Sequence, residues 1–220
     1  MTPELIHGLR AQDVRANLER VRERLDRAGR KPGEVQILAA VKYLPSEELD
    51  ALAAAGITLA GENRAQELIA KSAAHPEFTW DFIGALQSRK VPIVLPHARY
   101  IHSVASDSAL RQLARHGTPA TRILVEVNVA GDDGKSGIAP QELPGFIERC
   151  PVTVIGLMTM PPLTPRAEAN RRHFAALREL AEAHRLPELS MGTSQDYGVA
   201  AEEGATIIRL GSSLYRAGAS

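Results

Sequence analysis

Lys42 is the first residue of the sequence whose type and position could support covalent chemistry. It ends an apolar run in the segment AAVKYLP, residues 39 to 45, where a turn residue would be the ordinary end of a strand. An amine at the mouth of an apolar strand can condense with a carbonyl carbon, because desolvation favours its neutral, nucleophilic form. Lys42 therefore has two interpretations, a strand end that reaches solvent or a Schiff-base nucleophile.

Two later segments have the composition of phosphate-binding loops. SMGTSQD spans residues 190–196 and RLGSS spans 209–213, and both place glycine beside hydroxyl residues where an apolar run passes into a helical pattern. Free backbone N–H groups, a helix N-terminus and a serine hydroxyl can bind a phosphate there. One such loop is usually an ordinary turn, whereas two of them at the same end of a sheet favour a phosphate site.

The elements that must position these residues follow a repeating pattern. Eight short apolar runs, from VQILAAV to ATIIRLG, alternate with helical candidates at about 46–55, 62–74, 87–95, 107–116, 140–149, 165–185 and 195–203, with a short last turn after Gly211. This alternation predicts parallel strands, and eight units predict a closed α/β fold, the (β/α)8 TIM barrel. An open doubly wound sheet is the alternative. In a barrel, Lys42 after strand 1 and the loops after strands 7 and 8 share one rim.

The first 30 residues predict an extra helix, because Leu5, Leu9, Val14, Leu18, Val21, Leu25 and Ala28 are spaced mostly three or four positions apart. This face could pack on the barrel or on a coiled-coil partner, and we favour the barrel. Ser46, Ser106 or Asp107, and Ser194 are candidate helix N-caps. No linker interrupts the pattern, so residues 1–220 are expected to form one domain.

Composition excludes several classes of function. The formal net charge is zero, with 26 basic and 26 acidic residues, which argues against nucleic acid or an anionic membrane as a partner. Neither a signal peptide nor a transmembrane stretch is present, and the single cysteine, Cys150, cannot form an internal disulfide. The sequence therefore predicts a cytoplasmic protein. We expect a monomer, with a weak dimer through the N-terminal helix as the alternative.

From about residue 33 to residue 216 the chain resembles the pyridoxal 5′-phosphate (PLP) homeostasis proteins, which share a barrel with the N-terminal domain of alanine racemase. The resemblance lies in the ordered segments AAVKYLP, GENRAQE, WDFIGALQSRK, HSVASDSAL, LVEVNVAGDDGKSGI, IGLMTMP, LSMGTSQD and IIRLGSSLY. It implies that Lys42 holds the cofactor as a Schiff base and that Asn63 lies beside it. It also implies that Ser194, Gly211 and Ser212 bind the phosphate, and that Met191, Gly192 and Thr193 of the same loop contact the cofactor.

The resemblance further implies that Arg209 faces the pyridine nitrogen of the cofactor. A guanidinium stays protonated, so it disfavours a protonated pyridine and weakens the ring as an electron sink. The expected function is therefore binding of PLP in vitamin B6 homeostasis without a committed reaction. PLP-dependent apoenzymes are the expected partners.

Several positions depart from the family pattern. Arg64 replaces a common tyrosine, Asp81 a histidine, Ala85 a proline, Arg89 an asparagine and Thr193 a frequent methionine. These changes leave Lys42, Arg209 and the phosphate loops in place. They affect instead what can be predicted for the outer rim of the barrel, including the contacts that a partner would make there.

Two other functions stay open from the sequence. A racemase would need a second base, for which Tyr197 or Tyr215 would have to serve, and a Schiff-base aldolase would use Lys42 without a cofactor. The seven histidines show no metal-ligand spacing, so no metal site is expected. His102 is expected in a rim or core role, and the carboxylates of Asp132 and Asp133 are expected to be solvated in a turn.

Overall fold

A computed structural model describes residues 5–216, and its strands form a closed parallel barrel. Each strand pairs with the next one along the chain, and the eighth pairs with the first through Leu38 and Arg209. The (β/α)8 barrel is confirmed, and the open-sheet alternative is wrong because this last pairing closes the sheet. The strands are β1 Gln36–Ala40, β2 Leu59–Glu62, β3 Thr79–Phe82, β4 Tyr100–Val104, β5 Arg122–Glu126, β6 Thr153–Met158, β7 Glu188–Thr193 and β8 Ile207–Leu210.

Helix α1 precedes β1, α9 follows β8, and the other helices lie between successive strands, with short 3₁₀ turns before α2, α4, α6 and α7. Their bounds are α1 Ala11–Arg27, α2 Leu49–Ala54, α3 Ala65–Ala74, α4 Val91–Val94, α5 Asp107–His116, α6 Leu143–Glu148, α7 Arg171–Ala183, α8 Tyr197–Glu202 and α9 Ser212–Tyr215. The predicted range of α5 matches the observed one. Within residues 5–216, no helix is long and apolar enough to cross a membrane.

The strands are apolar on both faces, because one face looks into the barrel and the other packs under the helices. Leu38, Leu59 and Ile207 form one small buried cluster, separate from the larger core. The larger core includes Phe174 and Leu177 of α7. Several strands also carry buried polar side chains, and these contribute to the site described below.

Helix α1 packs on its own barrel and needs no coiled-coil partner to bury its apolar face. Val14, Leu18, Val21 and Leu25 are buried, and the helix contacts α2, α8 and α9. Asn17 adds a buried anchor, since its side-chain Nδ2 donates to the Leu214 carbonyl oxygen at 2.9 Å. The predicted helix over residues 1–30 is shorter at both ends, and residues 1–4 lie outside the described part of the chain.

One of the predicted N-caps is correct and two are wrong. The Ser106 hydroxyl accepts a hydrogen bond from the Ala109 N–H, as expected of the N-cap of α5. Ser46 instead begins a 3₁₀ turn, and its hydroxyl bonds to His75. Ser194 lies two residues before the cap position of α8, and its hydroxyl accepts from distant backbone groups. Sequence alone could not show these long-range partners.

Candidate functional site

The predicted site residues lie on four adjacent strand ends. Lys42 follows β1, Asn63 follows β2, Ser194 follows β7 and Gly211 follows β8. The order β7–β8–β1–β2 around the closed barrel places these strands side by side. Because all the strands are parallel, their carboxyl ends form one rim. The structure therefore brings together the two features that the sequence placed far apart, the lysine and the glycine-serine loops.

Lys42 is half-buried in the turn that follows β1. Its Nζ lies 4.7 Å from the centroid of the Tyr43 ring, a cation–π distance. The carbonyl oxygen of the preceding residue, Val41, accepts a hydrogen bond from Lys71 Nζ at 2.9 Å. The backbone just before Lys42 is therefore fixed by a buried side chain from α3.

Lys71 also forms a buried ion pair with Glu62, the last residue of β2. Their Nζ and Oε2 atoms are 2.7 Å apart, and the two side chains are 4% and 0% exposed. The other carboxylate oxygen, Oε1, accepts from the N–H groups of Asn63 at 2.7 Å and Arg64 at 3.2 Å. This pair therefore fixes the segment that carries Asn63 as well as the one that carries Lys42.

Asn63 has hydrogen-bonding capacity that the protein does not use. Its Oδ1 is buried and has no partner among the described residues. Most buried polar atoms in folded proteins are hydrogen-bonded. An unpartnered amide beside the Lys42 turn is what a ligand-binding residue would show.

The loops after β7 and β8 are joined by the Ser194 hydroxyl. Its oxygen accepts from the N–H groups of Gly211 at 3.2 Å and Ser213 at 3.1 Å. In return, the Ser213 hydroxyl donates to the Ser194 carbonyl oxygen at 3.2 Å. Ser212 lies between the two amides and is exposed. Two N–H groups that converge on one oxygen form the arrangement by which backbone nests bind an oxyanion.

The three residues before Ser194 have different surroundings. Gly192 has φ +91°, and a Cβ there would lie 2.6 Å from Ala200 Cβ, so glycine allows the close approach of α8. The Thr193 N–H and hydroxyl both donate to Asp196 Oδ1, at 2.7 and 3.1 Å, and stabilise the loop. The Met191 side chain is fully buried in the hydrophobic core.

Arg209 is buried in β8, with 6% of its surface exposed. Its guanidinium donates to the Ser190 hydroxyl through Nη1 and to the Thr159 carbonyl oxygen, at 2.9 Å, through Nη2. Burial lowers the pKa of Arg209 to about 10, although the negative charges of Glu126 and Asp196 oppose this shift. Burial raises the pKa of Glu126, and the positive charge of Arg209 opposes this shift.

The departures from the family pattern divide into surface and interior positions. Arg64 and Ala85 are exposed shortly after β2 and β3, and Arg89 is exposed in the 3₁₀ turn before α4. Asp81 is fully buried in β3, where its carboxylate accepts from Arg99 Nη2 at 2.6 Å and bonds to His102 Nε2 at 3.1 Å. His102 is also fully buried, which confirms its expected core role.

Other polar groups identified in the sequence are outside this rim site. Asp132 pairs with Lys135 at 3.0 Å in a largely exposed turn, as expected of solvated carboxylates. The structure also brings Asp50, His75 and Glu77 together, with ligand atoms within 4.8 Å of one another, a grouping that sequence spacing did not reveal. Its contacts include a hydrogen bond of 3.1 Å between His75 and Glu77.

Glu62, Lys71 and Ser190 were missed by the sequence analysis. Each is a polar residue at a position that the local pattern makes apolar: Ser190 lies between Leu189 and Met191, and Lys71 follows Leu68 by one helical turn on the buried face. A buried polar residue needs a partner, so this break in the pattern is a usable signal.

Comparisons with known proteins agree with this geometry. The family model for the N-terminal domain of alanine racemase matches residues 9–218. The PLP homeostasis protein of Aquifex aeolicus is 37% identical over 213 residues, which cover 90% of this chain and 93% of that protein. The corresponding protein of Pseudomonas aeruginosa is 36% identical and covers 94% of this chain and 95% of its own length.

A solved structure gives the same result. PipY of Synechococcus elongatus PCC7942, solved with PLP bound, superposes with a TM-score of 0.78 at 34% identity, over 92% of this chain and all of PipY. The family-model match, residues 9–218, includes all four strand ends of the site. The chain therefore belongs to the pyridoxal phosphate homeostasis proteins, within the family defined by the N-terminal domain of alanine racemase.

Proposed function

We propose that this protein binds pyridoxal 5′-phosphate covalently through Lys42 and acts in vitamin B6 homeostasis, without a committed reaction of its own. The observation that carries the proposal is the position of Lys42 on the same rim as the joined loops of Ser194 and Gly211. The cofactor needs an amine at one end and an oxyanion site at the other. PipY, a relative solved with PLP bound, has the same fold.

The β7 and β8 loops suit the phosphate end of the cofactor. The N–H groups of Gly211 and Ser213 converge on one oxygen atom, that of Ser194. A phosphate oxygen could replace the Ser194 oxygen as acceptor from these N–H groups, and the hydroxyls of Ser194 and of the exposed Ser212 would then add donors to the phosphate. The chain thus offers neutral donors, which bind a phosphate through oriented hydrogen bonds and not through a formal positive charge.

Lys42 and Asn63 suit the aldehyde end. Bound PLP supplies an aldehyde for imine formation with an amine, and a ring that can delocalise negative charge. The half-buried Lys42 amine is the group for that bond. The buried, unpartnered Oδ1 of Asn63 could accept a hydrogen bond from a polar substituent of the ring and orient it.

Arg209 suits a role in binding rather than in catalysis. Its guanidinium keeps its proton, so a pyridine nitrogen placed against it would stay unprotonated and the ring would stabilise a carbanion weakly. The two tyrosines considered for a racemase are poorly suited to act as a second base. Tyr215 is buried and its hydroxyl donates to the Ala40 carbonyl oxygen at 3.2 Å, while burial raises the pKa of Tyr197.

The proposal extends to the oligomeric state of the protein, its cellular compartment and its partners. The protein would act as a monomer in the cytoplasm and pass the cofactor to PLP-dependent apoenzymes. The exposed departures Arg64, Ala85 and Arg89 lie near the rim, where such a partner would approach.

The test is an absorption spectrum and an intact mass, with and without borohydride, after incubation with PLP. Wild type should be yellow and gain one reducible adduct, and Lys42→Ala should lose it. Lys90→Ala is the matched control, because Lys90 is also half-buried and follows a strand end of the same barrel. A colourless wild type without an adduct would refute the proposal and favour a cofactor-free lysine aldolase. Racemisation of a free amino acid by the loaded protein would refute the non-catalytic part.

A further inference from the structure

A continuous line of hydrogen bonds crosses the barrel interior and ends on Arg209. Asp81 Oδ2 lies 3.1 Å from His102 Nε2, and His102 Nδ1 lies 2.8 Å from the Ser190 hydroxyl, which accepts from Arg209 Nη1. The four residues come from β3, β4, β7 and β8, and none is more than 6% exposed. We call Asp81, His102 and Ser190 the interior relay.

The groups at the two ends of this line, the Asp81 carboxylate and the Arg209 guanidinium, determine which atom donates in each hydrogen bond. Arg99 donates to both oxygens of Asp81, at 2.9 and 2.6 Å, so Asp81 is a carboxylate that can only accept. His102 must then carry its hydrogen on Nε2, which leaves the Nδ1 lone pair to accept from the Ser190 hydroxyl. The oxygen of Ser190 remains free to accept from Arg209, which can only donate.

Electrostatics agree with this direction. Burial opposes ionisation of Asp81, but its hydrogen bonds with His102 and Arg99 hold its pKa below the usual value. Burial lowers the pKa of His102 against the opposing effect of Asp81, and this direction favours the neutral imidazole that the relay requires. Aligned bonds polarise one another, so the oxygen that faces Arg209 is a better acceptor than an isolated hydroxyl.

We propose that Asp81, His102 and Ser190 are positioning residues that hold the Arg209 guanidinium in a single orientation against the ring of the bound cofactor. The inference rests on the proposed function, because it assigns to Arg209 the ring nitrogen of PLP. It also gives a role to Asp81, one of the departures from the family pattern. The aspartate supplies the negative end of the relay.

Two substitutions test the relay at different points. Ser190→Ala removes the atom that contacts Arg209. Asp81→Asn keeps the volume of the side chain, but its amide can donate to His102 Nε2, which reverses the histidine tautomer and deprives Ser190 of its acceptor. Ser72→Ala is the matched control, since Ser72 lies on α3 and its hydroxyl is 2.9 Å from the Nδ1 of a different histidine, His97.

Three readouts separate positioning from simple folding. The first is the tautomer of His102 in the cofactor-free protein, from imidazole nitrogen-15 shifts near neutral pH. The second is the absorption maximum of the loaded protein. The third is the rate of PLP release, which should rise about tenfold in Ser190→Ala because a hydrogen bond to a charged group is lost.

The expected result is an Nε2–H tautomer for His102 in wild type, and a shifted absorption maximum with faster release in Ser190→Ala and Asp81→Asn. Ser72→Ala should match wild type, and all variants should keep the reducible adduct on Lys42. If Ser190→Ala does not fold, the absorption maximum and the PLP release rate of the isosteric Asp81→Asn variant test the proposal alone. The relay is overturned if folded variants match wild type in spectrum and release, or if wild-type His102 carries its hydrogen on Nδ1. A wild type that forms no adduct on Lys42 overturns the proposed function itself, whatever the tautomer.

Discussion

Lys71→Met should strongly destabilise the protein, because it breaks a buried ion pair without leaving a cavity. Lys71 Nζ lies 2.7 Å from Glu62 Oε2 and 2.9 Å from the Val41 carbonyl oxygen, and neither charged side chain is more than 4% exposed. Methionine fills a similar volume, so the main loss is electrostatic. Glu62 would keep its two backbone donors on Oε1 but lose its counter-charge.

The expected cost is about 3 to 5 kcal/mol of unfolding free energy, the usual effect of removing one partner of a buried pair. Most of it comes from the uncompensated Glu62 carboxylate, and the orphaned Val41 carbonyl oxygen adds to it. An exposed pair behaves differently. Arg22 and Glu19 lie 2.6 Å apart with side chains 53% and 56% exposed, so Arg22→Met should cost no more than about 1 kcal/mol.

Urea unfolding followed by circular dichroism measures both costs, provided that the slopes with denaturant stay equal. The double variant Glu62→Gln with Lys71→Met should lose less than the sum of the two single variants, because neither charge is then left alone. A cost below about 1 kcal/mol for Lys71→Met, equal to that of Arg22→Met, would refute the view that this pair fixes the Lys42 and Asn63 segments.

Three further predictions concern the loops and the interior. Ser194→Ala combined with Ser212→Ala should weaken retention of PLP much more than retention of pyridoxal, as measured by equilibrium dialysis. Gly192→Ala should cost about 2 to 3 kcal/mol in a urea titration, since its φ of +91° and the 2.6 Å approach to Ala200 Cβ exclude a methyl group. The folded pKa of Asp81 lies below its usual 3.8, so this carboxylate stabilises the fold above that pH and loses its contribution as the pH falls through the folded value. The stability gap between wild type and Asp81→Asn should therefore narrow in unfolding titrations at decreasing pH.

Each of these predictions has a clear contrary result. Equal losses of PLP and pyridoxal would mean that the serine hydroxyls do not bind the phosphate. A Gly192→Ala variant as stable as wild type would mean that α8 can shift away from β7. A gap for Asp81→Asn that stays constant as the pH falls would mean that Asp81 titrates as it does in the unfolded chain.

Much of the barrel could be predicted because the interactions that form its elements are local. Apolar runs buried on both faces read as strands, and the N-cap at Ser106 and the periodicity of residues 107–116 define α5 within a few positions. Pro92 lies inside the helix predicted at about 87–95, and in α4 it occupies the first helical turn, where a proline is well tolerated. Glycine and serine after the last two strands, with Lys42 after the first, were enough to predict a shared rim.

Partners that lie far apart in the sequence could not be predicted in this way. Ser194 read as a helix cap, since serine before a helical pattern usually caps it, but its oxygen accepts from Gly211 and Ser213, 17 and 19 residues away. The same holds for Ser190 and Arg209, which meet only because β7 and β8 are neighbours in register.

The order of the elements, the rim on which they end and the residue types available there could all be predicted from the amino-acid sequence. The pairing of the buried polar groups could not, because it depends on the folded arrangement of the strands. A side chain in a strand is known from sequence to face the interior or the helices, but its partner depends on the stagger of strands around the closed barrel. For that reason Lys42 could be identified in the sequence, whereas the ion pair beside it and the relay behind Arg209 required the fold.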